Sequence, residues 1–231
     1  MRGRVRAVER VGMAIAGAAL LALAGCTGVQ GSVAARPLTP IAKGEIRRIA
    51  VLPFTTAGLE RDDSGEPLPE PPGDTVTQAV SAAMRARGDW QVADDLTVGE
   101  AMRRAYGEVR APTPSEAQNV GKLLQVDAVL RGDVRVFDER IGSELAAKRP
   151  AQVIFGVELM RVSDGQPIWQ GQYAEQQQAL SENLWNLPGF VKAGGTWVRA
   201  GELAQIGADR VVGTLHDTLY GPTERRNKRR R

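Results

Sequence analysis

The chain has 231 residues, with 30 lysines and arginines against 27 aspartates and glutamates, one histidine and one cysteine. A single cysteine excludes an intramolecular disulfide framework, and one cysteine beside one histidine excludes a metal centre built from those ligands. The length suffices for one sizeable core with or without an appendage, and no repeat period divides it.

The first ten residues carry Arg2, Arg4, Arg6 and Arg10 against one acid, Glu9. Val11 to Leu23 follows as 13 uncharged residues of Ala, Leu, Val, Ile, Met and Gly. At ~1.5 Å per residue this run spans about 20 Å, short of a ~30 Å hydrocarbon core. A basic n-region, a short apolar h-region and small residues after it make a secretory signal peptide over residues 1–25. Leu23-Ala24-Gly25-Cys26 then resembles the lipobox of bacterial lipoproteins. The resemblance implies a diacylglyceryl group on the Cys26 thiol, cleavage just before it and acylation of the new amino terminus. Sulfur suits that role as a nucleophile once ionised, and Ala24 and Gly25 let an enzyme approach closely. Thr27 follows, not the Asp that retains many such lipoproteins in an inner membrane, so the resemblance implies the periplasmic face of the cell outer membrane. A single acyl chain binds membranes marginally, whereas two or three on one residue hold a protein there.

Removal of residues 1–25 leaves 26 basic and 26 acidic residues. The run from Glu224 to Arg231 holds six of those basic residues and one acid, and residues 26–223 hold 20 basic and 25 acidic ones. The folded part is therefore mildly acidic and residues 222–231 form a basic tail. A solvated, disordered end and a contact with anionic headgroups both fit this tail. Nucleic acid is disfavoured as a partner, because no aromatic residue interleaves the basic ones. Residues 26–45, rich in Gly, Ser, Thr, Pro and Ala, read as a flexible tether.

Beyond the tether, Arg48 to Phe54 is a short apolar run that fits a strand buried on both faces and ending near Pro53. Thr55 to Gly73, with four prolines and five acids, reads as a mobile loop. Asp74 to Arg87 places Val76, Ala79, Val80, Ala83 and Met84 on one helical face, closed by Gly88. Trp90 to Val92 suggests a short strand. Thr97 with Glu100 and Thr113 with Glu116 fit capping boxes that start two further helices. From Asp127 to Phe137 the pattern alternates, with Ala128, Leu130, Val134 and Val136 facing a core and Arg131, Asp133 and Arg135 facing outward. Gln152 to Val162 and Pro167 to Gln176 read as a hairpin turned at Asp164-Gly165. Ser181 to Leu187 suggests a short helix, and Thr196 to Tyr220 a long one buried through Leu203, Ala204, Val211, Val212, Leu215 and Leu219. This order predicts one α/β domain over residues 46–221. It has a mixed sheet, a C-terminal antiparallel three-strand meander, helices packed on one face and a long C-terminal helix.

The segments RRIAVLPF, LLQVDAVLRGDV and VSDGQPIWQGQY, in that order behind a lipobox, resemble the periplasmic lipoproteins around the curli-secretion channel. Pel polysaccharide-export lipoproteins, activators of penicillin-binding proteins and the TolB N-terminal domain share that fold, and the likeness covers residues 46–220. It implies a protein that builds rings or activates envelope machines through contacts, not an enzyme. The curli channel uses two long amphipathic hairpins per subunit. Here the 138–150 connection is only 13 residues and charged, which disfavours a self-made pore. The segment Glu175 to Trp185 and the final helix have no counterpart in the shared core, and residues 175–195 carry no assigned role.

No catalytic, cofactor-binding or metal-binding residues stand out. His216 lies beside the apolar stripe of the last helix and reads as solvent-facing. Asp62-Asp63, Asp94-Asp95 and Asp138-Glu139 read as solvated loop charge, since neighbouring positions diverge. Ser143 and Ser181 lack a nucleophile elbow, and Gly194-Gly195 is not a phosphate loop. Trp169, Trp185 and Trp197 read as core or interface residues. The expectation is a non-catalytic, lipid-anchored accessory of an envelope or export machine that touches other envelope proteins and self-associates. A docking regulator of a cell-wall synthase, or an enzyme with an unrecognised site, is the alternative.

Overall fold

The computed structural model describes residues 32–59, 70–142, 147–176 and 198–222. Eight strands and four helices are placed within them: β1 (Ser32–Pro37), β2 (Arg48–Val51), α1 (Pro72–Arg87), β3 (Gln91–Val92), α2 (Asp95–Tyr106), α3 (Pro114–Leu123), β4 (Ala128–Asp138), β5 (Ile141–Gly142), β6 (Ala147–Arg149), β7 (Gln152–Arg161), β8 (Pro167–Gln176) and α4 (Ala200–Tyr220). A six-stranded mixed sheet runs β1-β8-β7-β4-β2-β3, and β5 with β6 forms a separate small hairpin. The pairs β2–β3 and β2–β4 are parallel; β4–β7, β7–β8 and β8–β1 are antiparallel. The α/β class, the mixed sheet, the antiparallel meander and the C-terminal helix therefore all stand.

β2 is buried on both faces. Ile49 and Val51 join the core with Val76, Val80 and Met84 of α1 and Leu203, Val211, Val212 and Leu215 of α4. Ala50 and Leu52 join a second core with Val98 and Met102 of α2, Ala117 and Val120 of α3, and Val129 and Met160 of the sheet. The helices thus lie on both faces, which corrects the one-face expectation. The reason is topological: β2 to β3 steps one way across the sheet and β3 to β4 steps back the other way. Crossovers of a single hand must then lie on opposite sides.

The helix ends are set locally. α1 starts with Pro72 at its first position and stops at Gly88, in the left-handed region at φ 70°. Thr113 and Glu116 form the predicted capping box, with Thr113 N–H donating to Glu116 Oε2 at 2.8 Å. α2 is capped by Asp94, which accepts from the Leu96 N–H at 2.8 Å, so the helix begins before the expected Thr97 box. α4 begins at Ala200, four residues after the expected start, with Glu202 accepting from the Arg199 N–H at 3.1 Å.

Three further expectations change. The tether expected over residues 26–45 contains a strand: Ser32 to Pro37 pairs with β8 from Ser32↔Ala174 to Pro37↔Trp169. The Asp164-Gly165 hairpin closes on a longer loop, with Arg161 N–H donating to Gln166 O and Gly165 N–H to Arg161 O, both at 2.9 Å. A register shift between Val134 and Val136 also turns β4, so that Val136 pairs with Ile154 and buried Phe137 takes the core position. Part of the expected 55–73 loop and the whole expected helix at 181–187 fall outside the described residues.

Candidate functional site

The two faces of the sheet are unequally covered. α1 and α4 cover one face along its length, and α2 and α3 cover the other only over β2 and the adjoining ends of β4 and β7. Among the described residues no helix covers the remainder, from β4 across β7 and β8 to β1. It holds a depression of about 590 Å³ lined among others by Arg36, Arg131, Asp133, Glu158, Gln170 and Gln172.

Strand alternation puts these polar side chains here. On β4, Arg131 and Asp133 point outward while buried Leu130 and Val134 point to the core. The β4–β7 register sets Arg131 opposite Glu158 and Asp133 opposite Gly156. Arg131 Nε donates to Glu158 Oε1 at 2.8 Å, with both side chains about a quarter exposed. At the bulge, Arg135 turns back to the same face, where Nε donates to Asp133 Oδ2 at 2.6 Å and Nη1 to Gln172 Oε1 at 3.3 Å. With the Gln170 amide oxygen turned toward Arg36, it accepts from Nε at 2.8 Å and Nη2 at 3.0 Å. The outward trio Arg131, Asp133 and Arg135 is thus brought together as expected. Arg36 of β1 joins it, and sequence reasoning missed that residue by placing it in a tether.

This surface presents charged and amide groups held in pairs. Each arginine is engaged by a carboxylate or an amide, and Ser32, exposed on β1, shares the face with Arg36. Among the described residues, no cluster of three His, Cys, Asp or Glu side chains has metal-binding geometry. No described helix is long and apolar enough to cross a membrane.

The other candidates disperse. Asp94 is a helix cap, and Asp95 accepts from Ser81 Oγ at 3.0 Å and Arg85 Nη2 at 2.8 Å. The Arg85 hydrogen bond holds the Asp95 carboxyl below the ordinary range. Glu139 Oε1 accepts from the N–H groups of Arg140 at 2.9 Å and Ala200 at 3.4 Å, tying the end of β4 to the start of α4. Trp169 is buried in the core. Cys26, Asp62, Asp63, Ser143, Ser181, Trp185, Gly194, Gly195 and Trp197 lie outside the described residues.

His216 corrects the solvent-facing expectation. It is 2% exposed, and its Nε2 lies 2.6 Å from Asp89 Oδ2. Its ring packs on Trp90 and Tyr220, with centroids at 5.7 and 5.2 Å. Tyr220 Oη donates to the carbonyls of Ile46 and Asp89, so this clasp fastens the end of α4 to the chain entering β2 and β3. α4 lies against α1 as well as the sheet, so its buried arc is wider than one stripe and takes in the next position. A second clasp on α4 joins Tyr173 Oη, Glu175 and Arg210, the last two 3.7 Å apart. Burial first, and then the bond to Glu175, pushes the Tyr173 hydroxyl well above the usual tyrosine range. The bare backbone of Gly207 admits that ring, since a Cβ there would sit 2.4 Å from it.

No protein-family model matches the sequence. No curated protein matches it at a significant level. Among solved structures the chain is similar to the PelC dodecamer from Paraburkholderia phytofirmans, with a TM-score of 0.46, 16% identity, and 79% of this chain and 96% of that chain covered. It is also similar to the C-terminal domain of LpoB from Escherichia coli, at 0.39 and 16% identity over 57% of this chain and 83% of that one. A lipoprotein from Neisseria meningitidis is similar at 0.40 and 16% identity, over 64% and 98%.

Proposed function

We propose that this chain is a non-catalytic lipoprotein, anchored through acylated Cys26 at the periplasmic face of the outer membrane, that serves an envelope or export machine through protein contacts. One observation carries the reading: the basic start, the 13-residue apolar run and Leu23-Ala24-Gly25-Cys26 stand in processing order, and the first strand begins six residues beyond the cysteine. Residues 1–25 are then a signal peptide, the tether shortens to residues 26–31, the domain runs from Ser32 to Gly221, and residues 222–231 form a basic tail. Two or three acyl chains on one residue hold a domain at a membrane, because each buried CH₂ contributes about 0.8 kcal/mol. The open polar face from Arg36 to Arg135 is the contact surface in this reading. Its paired charges favour a chosen orientation over bulk adhesion.

Palmitate labelling of cells expressing the wild type and Cys26→Ser tests the anchor. Label is expected in the wild type and lost in the variant, whereas equal labelling would remove the proposal. Sedimentation of the domain from Ser32 onward tests self-association, with a discrete oligomer expected. A strict monomer that still captures a cell-wall synthase would favour the docking-regulator alternative.

A further inference from the structure

A crevice lies where the chain divides around β2. From β2 the chain crosses one face of the sheet as α1 to reach β3, and from β3 it returns over the other face as α2 and α3 to reach β4. The two connections part at the carboxyl end of β2, the place where open α/β sheets form their ligand crevices. Here the crevice holds about 180 Å³. Val51, Pro53, Val98 and Val109 form its apolar part, and Asp74 of α1 and Asp95 of α2 stand on its walls. Val109 is 46% exposed although it borders this apolar floor.

Gly99 of α2 lines the crevice too, and the packing around it does not require a glycine. Glycine inside a helix is less stable than alanine, so its presence needs a reason. The other buried helical glycines have one: a Cβ on Gly73, Gly121 or Gly207 would lie less than 3.0 Å from a neighbouring atom. At Gly99 the nearest atoms would be Arg103 Nη1 at 3.6 Å and Val109 Cγ2 at 3.7 Å, both ordinary contacts. The domain's own side chains thus leave the space beside Gly99 unused.

We propose that this crevice receives a large apolar side chain of a partner protein, from a segment in which a lysine or arginine stands next to that side chain. Size selects a side chain, because pockets for whole small molecules run to about 300–1,000 Å³. A single anchor of this kind, seated in a pocket and ringed by weaker contacts, supplies much of the affinity of a protein contact. Charge selects its neighbour. Asp95 is already held by Ser81 and Arg85, whereas Asp74, exposed on the first turn of α1, faces an incoming cation. Arg103 beside Gly99 repels a cation from the other side, so the basic neighbour belongs over α1. The crevice shares no lining residue with the polar face from β4 to β1, and it stands whether or not Cys26 is acylated.

The test uses the full chain in detergent micelles with methyl-labelled valines. The probes are two acetylated and amidated peptides, Gly-Phe-Lys-Gly and Gly-Phe-Glu-Gly, at millimolar concentration. The lysine peptide is expected to shift the methyl resonances of Val51, Val98 and Val109 and to leave those of Val157, on the polar face, unmoved. The glutamate peptide should bind several-fold more weakly, and Asp74→Asn should erase that preference. Gly99→Leu fills the space from within and should abolish the shifts with the thermal midpoint kept. Gly99→Ala should raise the midpoint and weaken the lysine peptide several-fold. Unmoved Val98 and Val109 resonances, equal binding of the two peptides, or shifts that persist in Gly99→Leu would overturn the proposal. A lowered midpoint in Gly99→Ala would make the glycine a requirement of the fold and overturn it as well.

Discussion

Around β2 the sheet is wedged between α1 and α4 on one side and α2 and α3 on the other, whereas from Arg131 of β4 across to β1 no described helix covers its second face. The residues differ accordingly. In the wedged half consecutive strand positions are all apolar, as in Ile49-Ala50-Val51-Leu52 or Leu159-Met160, because each face meets a core. In the open half Trp169, Gly171 and Tyr173 alternate with Gln170 and Gln172, and Val157 is followed by Glu158. In the wedged half both sheet faces thus meet a core, and in the open half one face meets the core through Phe155, Trp169 and Tyr173 while the other is polar.

That division can be broken deliberately. Leu130→Ala removes a fully buried side chain from the wedged half and should cost about 2–5 kcal/mol in urea unfolding, with the slope unchanged. A loss below 1 kcal/mol would mean this half is not the cohesive one.

The halves should also fail at opposite ends of the pH scale. Glu116 is held at about 2 by Arg110 first and then by Thr113, against an ordinary 4.5, and Asp95 is depressed by Arg85. Carboxylates with lowered folded values stabilise above their unfolded values, and that contribution is lost as pH falls through the folded ones. Between about pH 4.5 and 2 hydrogen exchange should therefore quicken first in α2 and α3. Tyr173 is raised, so its contribution is present below the ordinary 10.0 and is lost as the pH rises beyond it. Alkaline loosening should begin where β8 meets α4. The reverse order of protection would contradict the assignment.

The smallest effect on stability is expected on the open face. Arg131→Ala should change unfolding by about 0–1 kcal/mol, because its pair with Glu158 is partly solvated. The same substitution should weaken self-association in sedimentation. An unaltered oligomer would move the contact elsewhere.

Much of this was legible in the residues. The alternation of β4 and the apolar run of β2 announced their burial, and Gly88 and the Thr113–Glu116 box announced helix ends. β1 was not legible, because Ser32-Val33-Ala34-Ala35-Arg36-Pro37 has weak strand propensity and is a strand by virtue of the free edge of β8 beside it. Arg36 stayed hidden from the candidate surface for the same reason. The bulge at Arg135 depends on cross-strand register, which a single strand does not display. His216 was misplaced because the burial of a helix flank depends on how its neighbours pack, here Asp89 and Trp90 after α1.

The account stands or falls with how the chain begins once exported. Intact-mass analysis of the protein purified from membranes should give a chain starting at Cys26 and carrying a diacylglyceryl group, with or without a further acyl chain. An unmodified mature chain, or one starting at any other residue, would contradict it.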